Sequence, residues 1–304
     1  MCSLKVLKID LINRCNAACP FCPYHAARVH QAPLSRLSIT DVQGIVLGCR
    51  RLGITPQFKF SGRGEATVHP DFPEMVRLAS AEGFQTRLIT NGLLLRTHAS
   101  VLAECGTDVV VSIHGNEATH DAVIGKRGAL CLAEAGIEAV AARGASVTVG
   151  IILTPDTIED LEEIGARYAS QEKVRVRVHH NFDTHVRESL SPHAVQAALA
   201  RLKERFPNIR TVPHVPEELL DRYYSTNGFV LQPHACTHFI EEVEISSDGM
   251  VSVCGAAPFG NIRNEPFEHL VASNSRTSFM ATIAGELRSA DGLAATRCDR
   301  CCYQ

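Results

Sequence analysis

Short apolar runs rich in β-branched residues alternate with segments of helical periodicity along the first two thirds of the chain. This alternation predicts six strand–helix units. The predicted strands cover residues 4–12, 57–62, 85–90, 108–115, 146–153 and 173–180. The predicted helices cover residues 41–52, 71–82, 97–104, 130–142, 158–168 and 194–205. Gly53 and Gly83 follow the first two of these helices, where glycine commonly caps a helix C-terminus.

The order of these elements indicates the fold class. Continuous apolar strands between helices are typical of a parallel sheet covered by helices. A strand–helix unit takes about 30 residues, so residues 1–207 accommodate about six units and not the eight of a closed barrel. We therefore predict an α/β fold in which residues 1–207 form a partial, open (β/α)6 barrel.

The last third of the chain predicts a connector and a small second domain. Residues 208–233 carry prolines and histidines without clear periodicity, so we expect a connector near the barrel mouth. Residues 234–304 contain two predicted strands joined by a turn at residues 247–249 and end in a cysteine-rich segment. We expect this stretch to form a small cysteine-rich domain.

Composition and charge exclude several classes of function. Hydrophobic residues make up 45% of the 304 residues and charged residues 21%, as in soluble globular proteins. A formal net charge of -3 with dispersed basic residues argues against nucleic-acid binding. Charges at Lys5, Lys8 and Asp10 interrupt any signal-peptide pattern, and no apolar window approaches the ~20 residues of a membrane span. We expect a cytoplasmic protein without a nucleic-acid or membrane partner.

Three of the 12 cysteines, Cys15, Cys19 and Cys22, lie close together directly after the first predicted strand. In a reducing compartment such spacing indicates metal or cluster ligands more than disulfides. Thiolates are the usual protein ligands of iron-sulfur clusters, and three thiolates on a cubane leave one iron for another ligand. A structural zinc site in a non-catalytic protein is the alternative, and it would use pairs of cysteines with a fourth ligand elsewhere.

The C-x3-C-x2-C spacing, with the aromatic Phe21 before the third cysteine, resembles the radical SAM superfamily. The resemblance implies a partial (β/α)6 barrel, a 4Fe-4S cluster on Cys15, Cys19 and Cys22, and S-adenosylmethionine (SAM) at the open iron. It also implies reduction of the cluster by a flavodoxin or ferredoxin. SAM is then cleaved to methionine and a 5'-deoxyadenosyl radical, which removes a hydrogen atom from a C–H bond.

One segment of the predicted second strand is similar to a SAM-binding motif of this family. Residues 60–65 resemble the family's GGE motif, although Arg63 stands where glycine is frequent. The resemblance implies that Gly62 and Gly64 bring the backbone to the methionyl amine of SAM and that Glu65 contacts this amine.

Three further positions match places where the family contacts SAM. Asn91 follows the third predicted strand and Ser112 follows the fourth, which implies polar contacts, with Ser112 facing the ribose and carboxylate side. Gly150 in the fifth strand matches a position near the adenine, and a buried strand explains this residue equally well.

A second set of cysteines lies in the C-terminal region. Cys236, Cys254, Cys298 and Cys301 supply four thiols, enough to close a cubane, and Gly249 at the hairpin turn lets two strands bring thiolates together. A zinc ribbon remains the alternative. The arrangement resembles the shortened SPASM, or Twitch, domain, which implies one auxiliary cluster and hence two 4Fe-4S clusters in all.

Size and cysteine content resemble the carbohydrate branch of the superfamily, which includes neomycin C epimerase and 2-deoxy-scyllo-inosamine dehydrogenase. The resemblance implies removal of a carbinol hydrogen from an aminoglycoside or related sugar, with inversion of that carbon. A thiol would return the hydrogen, and Cys302 and Cys254 are the candidates. Oxidation of an amino sugar or aminocyclitol is the alternative, with the auxiliary cluster accepting the second electron.

Modification of a peptide with a separate leader-binding partner is a further alternative. Peptide-modifying relatives usually carry an N-terminal leader-binding domain, and the motif that begins at Cys15 leaves no room for one, so we expect the carbohydrate class.

Two polar groups could also contact substrate. Residues 179–183 end the sixth predicted strand and begin with a histidine pair, whose alternative role is an ordinary surface pair. Glu242 and Glu244 share one strand face and could meet a cationic substrate, with a solvated strand edge as the alternative.

Overall fold

The computed structural model describes residues 4–22, 32–180, 189–224, 238–253, 258–273, 276–278 and 281. These residues contain one sheet of ten strands: β1 (Val6–Ile9), β2 (Gln57–Phe60), β3 (Thr86–Thr90), β4 (Asp108–Ser112), β5 (Val147–Ile152), β6 (Val174–His179), β7 (Arg210–Val212), β8 (Glu242–Ile245), β9 (Met250–Ser252) and β10 (Gly260–Asn261). Its order is β10-β9-β8-β1-β2-β3-β4-β5-β6-β7.

Strands β1 to β7 lie side by side in chain order, and every neighbouring pair among them is parallel. Parallel neighbours in sequence order require a crossover above the sheet after each strand, and helices supply it. The observed sheet confirms the predicted α/β fold with a partial parallel barrel.

The helices among the described residues are α1 (Ile39–Leu52), α2 (Phe72–Ala81), α3 (Leu95–Glu104), α4 (Glu117–Ile124), α5 (Ala129–Ala141), α6 (Pro155–Glu159), α7 (Leu161–Tyr168), α8 (Pro192–Arg205), α9 (Leu220–Tyr223), α10 (His238–Glu241) and α11 (Phe267–Val271). None of these is long and apolar enough to cross a membrane. Short 3-10 turns lie at Ala66–Val68 and Glu217–Leu219.

Caps set the ends of the predicted helices. Ser38 and Asp41 form a capping box at the start of α1, and Gly53 ends this helix with a φ of 64°, as predicted. The pattern did not predict α4, a helix of eight residues. Its two ends carry recognisable signals, because Asn116 caps the first turn and Gly125 follows the last with a φ of 72°.

Alternation along the strands separates the two faces of the sheet. Leu7, Ile9, Phe58 and Phe60 are fully buried and belong to one core with the inner faces of the helices. The intervening positions, such as Lys8, are only partly buried. Successive side chains of a strand point to opposite faces, so the helices cover one face and the polar residues share the other, concave face.

The predicted connector contains ordered elements. Arg210–Val212 forms β7, a seventh parallel strand that pairs with β6, and Leu220–Tyr223 forms α9. A strand of three residues between prolines is too short to produce a readable period. The boundaries at residues 207 and 233 remain predictions.

The C-terminal hairpin extends the barrel sheet. Strand β8 pairs in parallel with β1, and β9 and β10 add antiparallel strands at the edge. Strand pairing places lysines of the first two strands beside Glu242 and Glu244. Glu244 Oε2 lies 3.3 Å from Lys8 Nζ, and Glu242 Oε2 lies 3.1 Å from Lys59 Nζ. The interpretation of this strand as a solvated edge was wrong, because β8 pairs with β1 on one side and with β9 on the other. Contact of the two glutamates with a cationic substrate stays a prediction.

The buried ion pair between Lys59 and Glu242 gives a testable prediction. Their side chains are only 13% and 7% exposed, so Glu242→Ala leaves the Lys59 ammonium buried without its carboxylate. We expect a loss of about 3 kcal/mol in the free energy of unfolding, measured by denaturant titration. Glu241→Ala is the control, since its partner Lys5 is 67% exposed, and it should cost less than about 1 kcal/mol. Equal losses in the two variants would contradict the prediction.

Candidate functional site

The first cysteine motif lies in the loop that follows β1. Cys15, Cys19 and Cys22 are half-buried free thiols, and the Cys22 N–H donates to the Cys19 carbonyl at 3.2 Å. Ala17 anchors this loop in a small apolar cluster with three residues that follow β3 and β4: Leu93, Ile124 and Ala129. The loop, residues 15–22, is called the cysteine loop below.

The thiols of this loop are poor at ionising by themselves. Burial raises the pKa of Cys15 to about 11 and that of Cys19 to about 12, and the neighbouring thiols and the Glu65 carboxylate raise both pKa values further. Binding of a metal would have to release these protons, since the thiolate is the ligand. The three groups are therefore arranged for a cationic partner.

The donor set fits a cluster better than a single zinc ion. Within the part of the chain that the structure describes, no three His, Cys, Asp or Glu side chains converge on one metal ion. A cubane binds each thiolate to a different iron, so its ligands lie further apart than those of one zinc ion. Cys15, Cys19 and Cys22 supply three thiolates from one loop, which leaves one iron of a cubane open, whereas a structural zinc site would need a fourth protein ligand.

The glycine turn, residues 61–65, packs directly against residues 10–14, the segment that leads from β1 into the cysteine loop. The Glu65 N–H donates to the Arg14 carbonyl at 2.8 Å. A Cβ atom on Gly64 would lie 1.9 Å from the Ile12 carbonyl oxygen, and one on Gly62 would lie 2.3 Å from the Asp10 side chain. Both glycines are thus required by close approach to β1 and its loop, a reason that the sequence alone did not reveal.

Glu65 is occupied by protein donors. It is 4% exposed, and its Oε1 accepts from the Thr67 N–H at 3.1 Å, the Thr67 hydroxyl at 2.7 Å and the Thr90 hydroxyl at 2.8 Å. Its Oε2 accepts from the Asn91 N–H at 2.9 Å. Burial raises the pKa of this carboxyl, and the hydrogen bonds oppose that rise. Only Oε2 keeps capacity for the SAM amine that the sequence predicts there.

Asn91 lies between β3 and the cysteine loop. Its Nδ2 donates to Asn16 Oδ1 at 2.8 Å and lies 3.8 Å from Cys15 Sγ, and its Oδ1 accepts from the Leu93 N–H at 3.0 Å. The side chain predicted to contact SAM is therefore engaged with the cysteine loop.

Ser112 is the last residue of β4, and its register partner Gly150 lies within β5. A Cβ atom on Gly150 would meet Val110 at 3.2 Å, so packing alone makes a larger residue tight at this position. The predicted SAM contacts of Ser112 and Gly150 stay predictions.

A histidine pair links the end of β4 to the cysteine loop. The His114 ring meets the Phe21 ring edge-on with centroids 5.0 Å apart, and it stacks on His120. The His114 N–H donates to His120 Nδ1 at 3.0 Å. Burial lowers the pKa of His114 to about 3 and that of His120 to about 4, so both rings are neutral. Sequence reasoning missed His120, which only its place in α4 brings to the site.

His180, the second histidine at the end of β6, belongs to the core. It is 1% exposed, its Nδ1 lies 2.5 Å from the Tyr224 hydroxyl, and its ring packs edge-on against Tyr223. The interpretation of His180 as an ordinary surface residue is wrong, because the connector folds over it. Its contact with substrate stays a prediction. Residues 181–183 lie outside the described residues.

The cysteines predicted for the auxiliary cluster and for hydrogen return also lie outside the described residues: Cys236, Cys254, Cys298, Cys301 and Cys302. Among the other cysteines, Cys49 is buried in α1, Cys105 is partly buried and Cys131 is exposed on α5.

Asp10 is a buried carboxylate that sequence reasoning missed. It is 7% exposed, and its Oδ1 accepts from the Gly64 N–H at 3.5 Å. Its Oδ2 has no hydrogen-bond partner among the described residues. Burial raises the pKa of Asp10 to about 6, and the backbone N–H of Arg63 opposes this rise. A charged residue within an apolar strand pattern was the signal that could have marked it.

The raised pKa of Asp10 makes stability depend on pH. The ordinary pKa of an aspartate is 3.8. The contribution of Asp10 to the free energy of unfolding is therefore complete below about pH 4 and is lost as the pH rises through about 6. Asp10→Asn removes the buried charge. We expect the stability of this variant, relative to wild type, to rise by about 1 to 2 kcal/mol from pH 5 to pH 8 in denaturant titrations. Asp156→Asn, at an exposed position, should show no such trend, and a flat difference for Asp10→Asn would refute the prediction.

Comparisons with known proteins agree with this site. The profile of the radical SAM superfamily matches residues 9–167, and that of SPASM, an iron-sulfur cluster-binding domain, matches residues 236–302. A probable GTP 3',8-cyclase of Methanopyrus kandleri is 26% identical over 281 residues, which cover 88% of this chain and 87% of the relative. The PqqA peptide cyclase of Streptomyces rochei is 32% identical over 214 residues, which cover 66% of this chain and 56% of the relative.

Solved structures share the fold. The structure titled native anSMEcpe with bound AdoMet has a TM-score of 0.69 at 18% identity and covers 98% of this chain and 91% of its own. Streptococcus suis SuiB bound to precursor peptide SuiA has a TM-score of 0.65 at 17% identity and covers 94% and 67%. SAM and iron-sulfur clusters are cofactors of this chain, as predicted. Since the superfamily profile matches more than half of its length, the chain belongs to the radical SAM superfamily.

Proposed function

We propose that this chain removes a hydrogen atom from a carbon of its substrate, with a cluster held by Cys15, Cys19 and Cys22. The contact of the glycine turn with the segment that leads into the cysteine loop carries this proposal, together with Asn91, which bonds both to Glu65 and to the loop. When bound, the cluster and SAM supply the electron and the 5'-deoxyadenosyl radical. A flavodoxin or ferredoxin would deliver the electron.

The chain's own residues would position and protect this chemistry. Gly62 and Gly64 let the backbone of the glycine turn lie close to the segment that leads into the cysteine loop. The packed rings of Phe21 and His114 form an apolar wall beside Cys22. Such a wall excludes water, which would otherwise compete for the open iron and for reactive species.

For the reaction on the substrate, we propose inversion of a carbinol carbon in an aminoglycoside or related carbohydrate. Cys236, Cys254, Cys298 and Cys301 lie within the SPASM match and would hold one auxiliary 4Fe-4S cluster. A thiol would return a hydrogen atom to the opposite face: Cys302, or Cys254 in the case that it is not a cluster ligand. The resulting sulfur radical would take up one electron and one proton from the reductant and solvent. Oxidation of an amino sugar or aminocyclitol differs in its last step, where the auxiliary cluster would accept the second electron.

Peptide modification is a second candidate, and the comparisons favour it. One relative at 32% identity is named a PqqA peptide cyclase, and the SuiB structure contains a precursor peptide. The chain spans about half of that cyclase. A peptide substrate with a separate leader-binding partner would use the same thiols and the same glycine turn.

Replacement of the three thiols tests the cluster assignment. We expect Cys15→Ala, Cys19→Ala and Cys22→Ala each to reduce formation of 5'-deoxyadenosine from SAM to background in anaerobic assays with dithionite, since the cluster loses a ligand. Cys131→Ala, exposed on α5, should retain the wild-type rate. Purified wild-type protein that contains zinc and no sulfide would refute the proposal.

Running the reaction in deuterium oxide distinguishes inversion, oxidation and peptide cyclisation. Inversion by an exchangeable thiol should place one deuterium on the inverted carbon of a carbohydrate substrate. Oxidation of such a substrate should place none, and cyclisation of a peptide should remove two hydrogens from the peptide. Mass spectrometry of the products measures each of these changes. We expect Cys254→Ala or Cys302→Ala to abolish inversion while 5'-deoxyadenosine still forms. Full inversion in both variants would exclude these two thiols as the donor.

A further inference from the structure

Asn91 makes a hydrogen bond to one of the thiols that would hold the cluster. It follows β3 directly and is 8% exposed. Its amide nitrogen carries two hydrogens, and two acceptors lie near it: Asn16 Oδ1 at 2.8 Å and Cys15 Sγ at 3.8 Å. One hydrogen serves each acceptor, so the bond to sulfur does not compete with the bond to Asn16.

The surroundings of Asn91 fix the direction of its amide. Its Oδ1 accepts from the Leu93 N–H at 3.0 Å. A flipped amide would turn its NH2 group toward this N–H donor and its oxygen toward Cys15 Sγ and Asn16 Oδ1, which are both acceptors. The nitrogen must therefore face the cysteine.

The backbone of Asn91 is held equally firmly. Its N–H donates to Glu65 Oε2 at 2.9 Å, and the preceding Thr90 hydroxyl donates to Glu65 Oε1 at 2.8 Å. Glu65 is buried, so these bonds are shielded from water and keep the Asn91 backbone in place beneath the cysteine loop.

The Asn91 side chain brings a donor within 3.8 Å of the Cys15 sulfur, and its backbone N–H donates at 2.9 Å to the nearby Glu65 carboxylate. A donor to a cluster sulfur stabilises the more negative, reduced state, whereas a nearby carboxylate destabilises it.

We propose that Asn91 is a positioning residue that holds the Cys15 thiolate by an N–H···S hydrogen bond and thereby raises the reduction potential of the cluster. This inference rests on the proposed assignment of the cluster to Cys15, and it replaces the predicted contact of Asn91 with SAM. A higher potential makes the cluster easier to reduce by a biological electron donor.

Two variants separate the effect of the hydrogen bond on the reduction potential from the effect of charge. Asn91→Leu removes the donor and stays neutral. Asn91→Asp also removes the donor but keeps an oxygen for the Leu93 N–H, so it preserves the local fold, and it adds a negative charge. We expect both variants to shift the midpoint potential downward, with the larger shift in Asn91→Asp.

Thr107→Val is the control. Thr107 is buried, and its hydroxyl lies 2.8 Å from the Thr86 hydroxyl at the amino ends of β3 and β4, the opposite end of β3 from Asn91. Loss of this hydroxyl removes a buried hydrogen bond and should leave the potential unchanged.

The measurement is a redox titration of the reconstituted full-length protein, followed by electron paramagnetic resonance without SAM. The cluster at Cys15 is identified as the one whose signal changes when SAM is added afterwards. Affinity for SAM is measured in parallel by calorimetry, and we expect it to stay within about threefold of wild type in Asn91→Leu.

The outcomes distinguish the proposals. An unchanged potential in Asn91→Leu, or a shift in Asn91→Asp alone, would overturn the inference, because charge and not the donor would then be the cause. Weaker SAM binding at constant potential would return Asn91 to its predicted role as a SAM contact. A wild-type protein without a SAM-responsive cluster would instead defeat the proposed function.

Discussion

The candidate site depends on the buried Glu65 carboxylate, because this residue connects the segments that form the site. It accepts hydrogen bonds from Thr67, Thr90 and Asn91, and its own N–H donates to Arg14 in the chain that leads to the cysteines. A carboxylate away from water is costly unless donors surround it, so none of these segments can shift alone. The end of β3, the glycine turn and the cysteine loop therefore behave as one rigid unit, as a site for a charged cofactor requires.

Much of the barrel could be predicted from the sequence because its signals are local. Buried parallel strands give continuous apolar runs, and residues such as Ser38 and Gly53 mark helix ends within a few positions. The interpretation of Glu242 and Glu244 as a solvated strand edge was wrong because their surroundings are set by contacts that are distant in the sequence. Their lysine partners lie on strands at the other end of the chain, and no local period reports which strands become neighbours.

The candidate site also combines features that the local sequence predicts with features that depend on contacts distant in the sequence. The spacing of Cys15, Cys19 and Cys22 is a local signal, and it led directly to the radical SAM superfamily. The contacts of Asn91 and the burial of Asp10 depend on which strand ends meet in space. Asp10 drew attention in the sequence only as a charge within an apolar run, and its burial follows from the packing of the glycine turn on β1.

The parallel pairing of β8 with β1 has a consequence for synthesis of the chain. Val6 pairs with Glu242, so the strand that leads into the cysteines keeps one unpaired edge until β8 has left the ribosome. Exposed strand edges invite pairing with other chains, and contacts so distant in sequence form slowly. Newly made protein should therefore be most prone to aggregate in the interval before β8 arrives, and a chain truncated before β8 would keep that open edge permanently.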